Sequence, residues 1–199
     1  MCPGGFIVPA ATAPGEVVVN GMSPSKRNNQ FANSGIVVEI NVDEDLSRYQ
    51  GHGAMRGLEF QKDLERLAFT AGGRNQTAPS QRLTDFVEGK LSPSLNPTSY
   101  QPGLNSAPLH SLLPKLIGSR LRKGFEEFGK KMKGYYTDEA NIVGVESRTS
   151  SPVTIPRNEQ LEHPQIKGLF PCGEGGGYAG GIVSAAMDGE RCAEAAIGL

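Results

Sequence analysis

A nine-residue loop near the end of the chain constrains the fold more than any other feature, because six of its residues, within 173–181, are glycine. An apolar stretch at 168–172 precedes it and predicts a short strand, and residues 182–197 predict a closing helix. A strand that leads through glycines to a helix N-terminus brings bare main-chain N–H groups close to a phosphate or a cofactor ring. Glycine also permits positive φ and lets a ligand approach the main chain. We therefore expect a ligand site at the start of the last helix.

The loop contains a formal G-x-G-x-x-G match at Gly175, Gly177 and Gly180. In a dinucleotide-binding unit this fingerprint is followed by a further strand, with an acidic residue about 20 positions on. Because 19 residues follow Gly180 in this sequence, we expect the loop to serve at the end of a fold and not as such a fingerprint. A glycine-rich turn without a ligand is the alternative, although turns seldom need so many glycines together.

The first part of the chain predicts β structure. Runs rich in β-branched residues at 6–8, 16–19 and 35–40 are separated by Pro-Gly and Asn-Gly turn signals. Further strands are predicted at 141–146 and 153–156. Short strands of this kind, punctuated by turns, indicate a mixed or antiparallel sheet.

Helices are predicted between these strands. Residues 54–71 carry apolar residues near helical spacing and end at a Gly-Gly pair, and residues 79–86 predict a second, short helix. The clearest apolar stripe covers 108–128, where Pro114 is expected to kink or split the helix. The sequence therefore predicts an α+β fold in which helices pack on a mixed or antiparallel sheet.

Composition narrows the choice of partner and compartment. A formal net charge of −1 gives no long-range attraction to nucleic acid or to an anionic membrane, and no apolar run approaches the ~20 residues that span a bilayer. The three cysteines, Cys2, Cys172 and Cys192, are odd in number and widely spaced, which favours free thiols in the cytoplasm over a disulfide framework. We expect Cys172 and Cys192 to be small buried residues. Without a C-x-x-C pair or clustered histidines, no metal site is predicted.

Cationic residues cluster in and after the helix predicted at 108–128. They are Lys115, Arg120, Arg122, Lys123, Lys130, Lys131 and Lys133. One interpretation is a surface for a nucleotide phosphate or an acidic partner. The other, which the pattern favours, is the solvated face of an amphipathic helix.

The glycine-rich tail also supports a resemblance to a known family. Residues 168–189, GLFPCGEGGGYAGGIVSAAMDG, resemble the C-terminal FAD motif of a family of bacterial FAD-dependent dehydrogenases within the glutathione-reductase-like flavoprotein superfamily. Segments 148–153, 1–5 and 20–23 are also similar to that family. The resemblance covers nearly the whole chain and is densest over 146–191. It implies that the tail is the C-terminal strand-loop-helix of an FAD-binding, Rossmann-like domain.

In that superfamily a glycine and an acidic residue after the last strand hold the ribityl chain and the nearby diphosphate. By resemblance, Gly173 and Glu174 take this place, and Gly175 follows them in the same implied cofactor site. Glutamate stands here where many members of the superfamily have aspartate, so the contact distance differs.

The next helix in that superfamily directs its N-terminus at the pyrimidine edge of the flavin. By resemblance, Gly180, Gly181 and Ile182 provide those main-chain N–H groups. The electrostatics are favourable independently of the resemblance, since a helix N-terminus carries about half a positive charge. Such a charge stabilises the negative charge of a reduced flavin, and preorganised dipoles of this kind contribute a few kcal/mol.

The resemblance further implies that the chain is one part of a longer flavoprotein. Members of the superfamily bind ADP through an N-terminal βαβ unit, and we expect that portion to be missing here. Residues 1–147 would form part of a substrate (cap) domain, and residues 148–199 the C-terminal segment of the FAD-binding domain. The full-length protein is then expected to be an FAD-dependent oxidoreductase with an unknown small-molecule substrate. This chain alone would bind FAD weakly or not at all and would be inactive.

Two smaller features each allow two interpretations. Residues 148–152 place a cation and three hydroxyls beside a strand end, so Arg148 and Ser150 are candidate contacts to flavin or substrate at the domain junction. A capped turn explains them equally well. Cys2 lies in a Cys-Pro-Gly-Gly turn and is either a residue facing the flavin ring or, more simply, a structural turn residue.

Two other function classes compete with the oxidoreductase. One is a non-enzymatic binding module that takes an anion or nucleotide at the helix N-terminus and meets a protein partner with its basic helix. The other is a β-rich structural or assembly domain in which the flavin motif is vestigial. No catalytic acid or base can be assigned from the sequence under any of the three.

Overall fold

The structure, a computed structural model, describes residues 2–198, and these divide into two compact units. Unit 1 comprises residues 2–40 and 62–147, and unit 2 comprises residues 41–61 and 148–198. The predicted α+β class is confirmed by small sheets combined with helices. The helices are α1 (Val42–Asp45), α2 (Arg56–Ala71), α3 (Leu83–Glu88), α4 (Leu109–Leu112), α5 (Lys115–Lys131) and α6 (Ile182–Ala196), with a 3₁₀ segment at Ser47–Met55. The strands are β1 (Cys2–Pro3), β2 (Phe6–Pro9), β3 (Val19–Met22), β4 (Ala32–Asn33), β5 (Ala78–Arg82), β6 (Leu104–Ser106) and β7 (Asn141–Val143).

Unit 1 contains three small sheets. Strand β1 pairs with β4 and β2 with β3, both antiparallel, with Phe6 opposite Met22. The third sheet has the order β6-β5-β7, in which β5 is parallel to β6 and antiparallel to β7. The helix predicted at 79–86 is therefore wrong in its first half. The central position of β5, bonded on both sides, overrides the local pattern, and α3 begins only at Leu83.

Two apolar clusters form the core of unit 1. The first consists of Val17, Val19, Ala68, Ala78 and Tyr100, and the second of Leu83, Phe86, Val87, Leu109 and Phe125. In the second cluster the rings of Phe86 and Phe125 meet edge to face at 6.1 Å between centroids. In the first, the buried hydroxyl of Tyr100 donates to the Gln76 carbonyl at 2.8 Å. The long helices α2 and α5 each bring one apolar face to these clusters.

Of the run predicted at 16–19, only Val19 lies in a strand, at the start of β3. Three other predicted strands do not form. Residues 35–40 run outside any strand because side chains engage them, as where the Arg120 guanidinium donates to the Glu39 carbonyl at 2.8 Å. Residues 153–156 have only a single main-chain bond to the glycine-rich loop, from Ile155. Residues 168–172 are turn and irregular structure, since the Pro171 carbonyl bonds to the side chain of Arg157 and not to a neighbouring strand.

The helix predictions fare better. Helices α2 and α6 lie where periodicity placed them, and the stripe at 108–128 divides at Pro114 into α4 and α5, as expected. Within the described residues, no helix combines the length and apolar character that crossing a bilayer requires. The side chain of Cys2 lies outside what the structure describes.

Candidate functional site

The glycine-rich loop of unit 2 is a series of tight turns that leads into α6. The Gly177 amide donates to the Glu174 carbonyl at 2.9 Å, and the Tyr178 amide donates to the Gly173 carbonyl at 3.0 Å. These short-range bonds fold residues 173–178 back on themselves. The loop therefore has a defined shape of its own before any ligand is considered.

One group of glycines is required by the packing of this chain. Gly177 has φ +82°, and a Cβ built there would lie 2.6 Å from Thr154 Oγ1. A Cβ on Gly176 would approach the main chain of Cys172 at 3.0 Å. Glycine at these positions therefore lets the loop pack tightly against itself and against residues 153–154.

A second group of glycines has no such internal reason. A Cβ built on Gly175 or Gly180 would meet no atom of the described residues within 4 Å. Neither residue has a positive φ, and Gly181 is extended at φ −150°. All three are exposed. The missing side chains of Gly175 and Gly180 thus leave open space in front of the main chain, whereas a Cβ on Gly181 would lie 3.4 Å from Ser184 Oγ.

The start of α6 adds free donors to that open space. Gly181 is the N-cap residue, and among the described residues no side chain caps the helix. The first intrahelical bond of this turn joins the Ala185 amide to the Gly181 carbonyl, so the amides before it have no helical acceptor. Ile182 and Val183 are 93% and 71% exposed, which is unusual for large apolar side chains. Exposed amides and exposed apolar carbons thus occur side by side.

An ion pair that the sequence reasoning missed holds the loop to α6. Arg157 donates to both carboxylate oxygens of Asp188, from Nη1 at 2.9 Å and from Nη2 at 2.8 Å, and the two side chains are only 10% and 9% exposed. Oδ2 of Asp188 also accepts from the Gly173 amide at 2.8 Å. The Arg157 guanidinium and the Gly173 amide hold the pKa of Asp188 at about 2, and the pair with Asp188 raises the pKa of Arg157.

Tyr178 completes this anchor. The guanidinium carbon of Arg157 lies 3.6 Å from the centre of the Tyr178 ring, a cation–π arrangement. The Tyr178 hydroxyl donates to the Ile155 carbonyl at 2.8 Å. The sequence offers no signal for this pair, because Arg157 is 31 residues away from Asp188 and no spacing rule connects the two.

The predicted site residues fall into different environments. Gly173 is buried and its amide is already bonded to Asp188, whereas Glu174 is exposed on the loop. Arg148 is half-buried with an interaction partner in the structure, and Ser150 is exposed. The neighbouring Pro152 packs against the start of α2, where its carbonyl would lie 3.0 Å from a Cβ on Gly57. The C-terminal end of segment 148–154 borders the glycine-rich loop, because Thr154 lies close to Gly177.

The cysteines differ from expectation in one respect. Cys192 is buried on α6, as predicted, but Cys172 is exposed in the loop and does not lie in a strand. Its neighbours, Pro171 and Gly173, are both buried. The exposed thiol therefore projects from a segment whose main chain is firmly anchored.

Comparison with known proteins places the chain in a flavoprotein family. Residues 1–149 match the family described as "FAD-dependent protein, C-terminal domain-like", and the chain belongs to that family. It is also 43% identical over 196 residues to an uncharacterized protein of Clostridium beijerinckii. That alignment covers 98% of this chain and 36% of the relative, so the chain spans about a third of the length of the curated relative it matches.

The two matches cover the candidate site differently. The family match ends at residue 149, before the glycine-rich loop and α6, whereas the alignment to the Clostridium protein extends over both. Membership of the family supports an FAD-dependent protein and does not favour the non-enzymatic binding module.

Proposed function

We propose that this chain provides the flavin-side contacts and the substrate domain of an FAD-dependent oxidoreductase. The observation that carries the proposal is the start of α6, which no described side chain caps, where the exposed Gly180 leaves open space in front of its main chain. An external group that must approach the main chain closely explains why glycine stands there. Membership of the FAD-dependent family makes FAD the group of choice.

The residues present fit a flavin in three respects. The uncapped start of α6 offers N–H donors and about half a positive charge to an electron-rich ring edge. Ile182 and Val183 offer apolar surface that a planar ring system would cover. The open space beside Gly180 admits an atom of the ligand to hydrogen-bonding distance of the main chain.

In this proposal, individual residues have separate tasks. Gly180, Gly181 and Ile182 donate main-chain hydrogen bonds to the flavin ring, and Glu174 with the Gly175 amide contacts the ribityl and diphosphate region. Gly173, whose amide is engaged by Asp188, fixes where those contacts begin. Arg148 and Ser150 lie on the segment that borders the loop and contact flavin or substrate.

FAD, when bound, supplies the redox chemistry, and the chain supplies position and electrostatics. A helix N-terminus held in place before reduction needs no reorganisation when negative charge develops, and such preorganisation contributes a few kcal/mol. The Arg157–Asp188 pair serves this purpose, because it keeps the loop and α6 in one arrangement.

The proposal also assigns a role to each part of the chain within the full-length protein. Residues 1–147 act as a substrate (cap) domain and residues 148–199 as the C-terminal segment of the FAD-binding domain. The ADP half of the cofactor is bound by a portion outside this sequence, which agrees with the greater length of the Clostridium relative. The substrate is a small organic molecule, and we place the enzyme in the reducing cytoplasm, where proteins commonly keep cysteines outside structural disulfides.

A substitution at Gly180 tests the proposal in the full-length protein. The change Gly180→Val places its Cβ where no described atom lies within 4 Å, so the free energy of unfolding of the flavin-free protein should change by no more than about 0.5 kcal/mol. It also blocks close approach to the main chain, so the flavin content per polypeptide and the affinity for FAD should both fall by about tenfold or more.

Gly51→Val is the matched control, because Gly51 also lacks positive φ and a Cβ there would meet no described atom within 4 Å. It should retain wild-type flavin content. Unchanged FAD affinity in a folded Gly180→Val protein would refute the assignment of the loop to the flavin.

A further inference from the structure

Unit 2 brings two of the three cysteines together. Cys172 is exposed at the start of the glycine-rich loop, and Cys192 is buried on α6, with neither in a disulfide. The Cys192 Sγ lies 3.8 Å from the carbonyl oxygen of Pro171, the residue directly before Cys172. The two thiol side chains also interact with each other. Cys172 and Cys192 are 20 positions apart in the sequence, and the fold brings their side chains into contact.

The main chain on both sides of Cys172 is tied to one face of α6. Asp188 and Cys192 are four residues apart on that helix and therefore share a face. Asp188 accepts the Gly173 amide at 2.8 Å, and Cys192 contacts the Pro171 carbonyl. The residues on both sides of Cys172 are therefore held against the face of α6 that carries Cys192.

Arg157 supplies a positive charge at the same place. Its Nη1 lies 3.3 Å from the Cys192 Sγ and also donates to the Pro171 carbonyl at 2.9 Å. A guanidinium beside a sulfur stabilises the thiolate, which is the reactive form of a cysteine. Burial is the larger influence and raises the pKa of the Cys192 thiol, and the Arg157 guanidinium opposes that rise. An exposed sulfur beside a buried, charge-assisted one is the arrangement of an attacking and a resolving thiol.

We propose that Cys172 and Cys192 form a redox-active dithiol that reacts with low-molecular-weight disulfides. The Cys172 thiolate attacks one sulfur of the small disulfide, forming a mixed disulfide and releasing one small thiolate. The Cys192 thiolate then attacks the Cys172 sulfur, forming the intramolecular disulfide and releasing the second small thiolate. The two cysteines are oxidised by two electrons, the small disulfide is reduced to two thiols, and both cysteine protons pass to the products.

This site is distinct from the proposed flavin contacts and does not depend on them. Its reacting atoms are two sulfurs, and its reactant is a small disulfide in solution. Because Cys172 is the residue before Gly173, however, the disulfide would add a covalent link to a segment that Asp188 holds through the Gly173 amide. A small-molecule redox signal is thereby coupled to the segment that leads into α6.

The test uses the full-length protein treated with glutathione disulfide, followed by alkylation of free thiols, proteolysis and mass spectrometry. In the wild-type protein, a peptide linked through Cys172 and Cys192 should form and disappear again on treatment with dithiothreitol. Cys192→Ser should instead retain glutathione on Cys172, at about ten times the wild-type level or more, because no second thiol displaces it. Cys172→Ser should give no linked peptide, and Cys2→Ser should behave as wild type.

Two results would overturn the proposal. One is a wild-type protein that accumulates the glutathione adduct on Cys172 as fully as Cys192→Ser does. The other is a Cys172 that stays unmodified in folded wild-type protein at glutathione disulfide concentrations that modify a free cysteine peptide. Because the readout is the linked peptide itself, it is independent of whether flavin is bound.

Discussion

The carboxylate of Asp188 receives three hydrogen bonds, two from the guanidinium of Arg157 and one from the amide of Gly173. A single side chain on α6 thereby fixes both the segment before the glycine-rich loop and the first glycine of the loop itself. Burying a charge costs free energy unless the charge is fully paired. The carboxylate of Asp188 and the guanidinium of Arg157 are therefore stable in this buried position only together. The shape of the candidate site therefore rests on a contact far from the open amides of Gly180 and Gly181.

Removing the negative charge of this pair should destabilise unit 2. The change Asp188→Asn leaves the guanidinium of Arg157 buried without its counter-charge, and breaking a buried pair in this way costs about 3 kcal/mol. Urea unfolding followed by circular dichroism measures this loss. Glu127→Gln is the control, since it breaks an exposed pair with Lys130 that should have no measurable effect on stability. Equal stabilities of Asp188→Asn and wild type would contradict the anchoring role.

The same pair predicts how stability depends on pH. The pKa of Asp188 is about 2 in the folded chain, below its ordinary value of 3.8, so the folded state binds this proton less readily than the unfolded state. The contribution of the pair is fully present above about pH 4 and is lost as the pH falls through 2. We expect the difference in free energy of unfolding between wild type and Asp188→Asn to shrink steadily between pH 4 and pH 2. A constant difference over this range would show that the folded and unfolded states bind this proton equally, so that the pKa of Asp188 is not lowered by folding.

Much of the helical structure could be predicted from the sequence, and little of the strand structure. The periodicity that predicts α2 and α6 is carried by each helix alone, as is the break at Pro114. A strand needs a second strand to pair with. The β-branched run at 35–40 forms no strand, because neighbouring side chains such as that of Arg120 hydrogen-bond to its main chain. Local pattern does not contain that information.

The candidate site, too, could be predicted only in part from the sequence. Glycine content marks the loop in the sequence, but only the structure separates Gly177, which internal packing requires, from Gly180, which it does not. The Arg157–Asp188 pair and the approach of Cys172 to Cys192 join residues far apart in the chain. Neither pair has a sequence signature, because the loop geometry that brings them together is itself a consequence of the fold.

The two classes of glycine should respond differently to the same small change. Gly177→Ala introduces a side chain at φ +82° and within 2.6 Å of Thr154 Oγ1, so it should lower the free energy of unfolding by about 1–3 kcal/mol. Gly175→Ala, two residues earlier, meets no described atom within 4 Å and should change it by no more than about 0.5 kcal/mol. Thermal unfolding of both flavin-free variants checks the contrast. Similar losses for both would mean that the loop adopts another conformation in solution.

Oxidation of the cysteine pair should stabilise the chain against unfolding. A disulfide between Cys172 and Cys192 closes a loop of about 20 residues, which restricts the unfolded state and corresponds to about 3 kcal/mol. The gain should appear as a higher melting temperature of the protein oxidised with glutathione disulfide than of the protein kept in dithiothreitol. Cys172→Ser is the control and should melt at the same temperature under both conditions. A lower melting temperature of the oxidised wild type would show instead that forming the bond distorts the contacts that Pro171 and Gly173 make with α6.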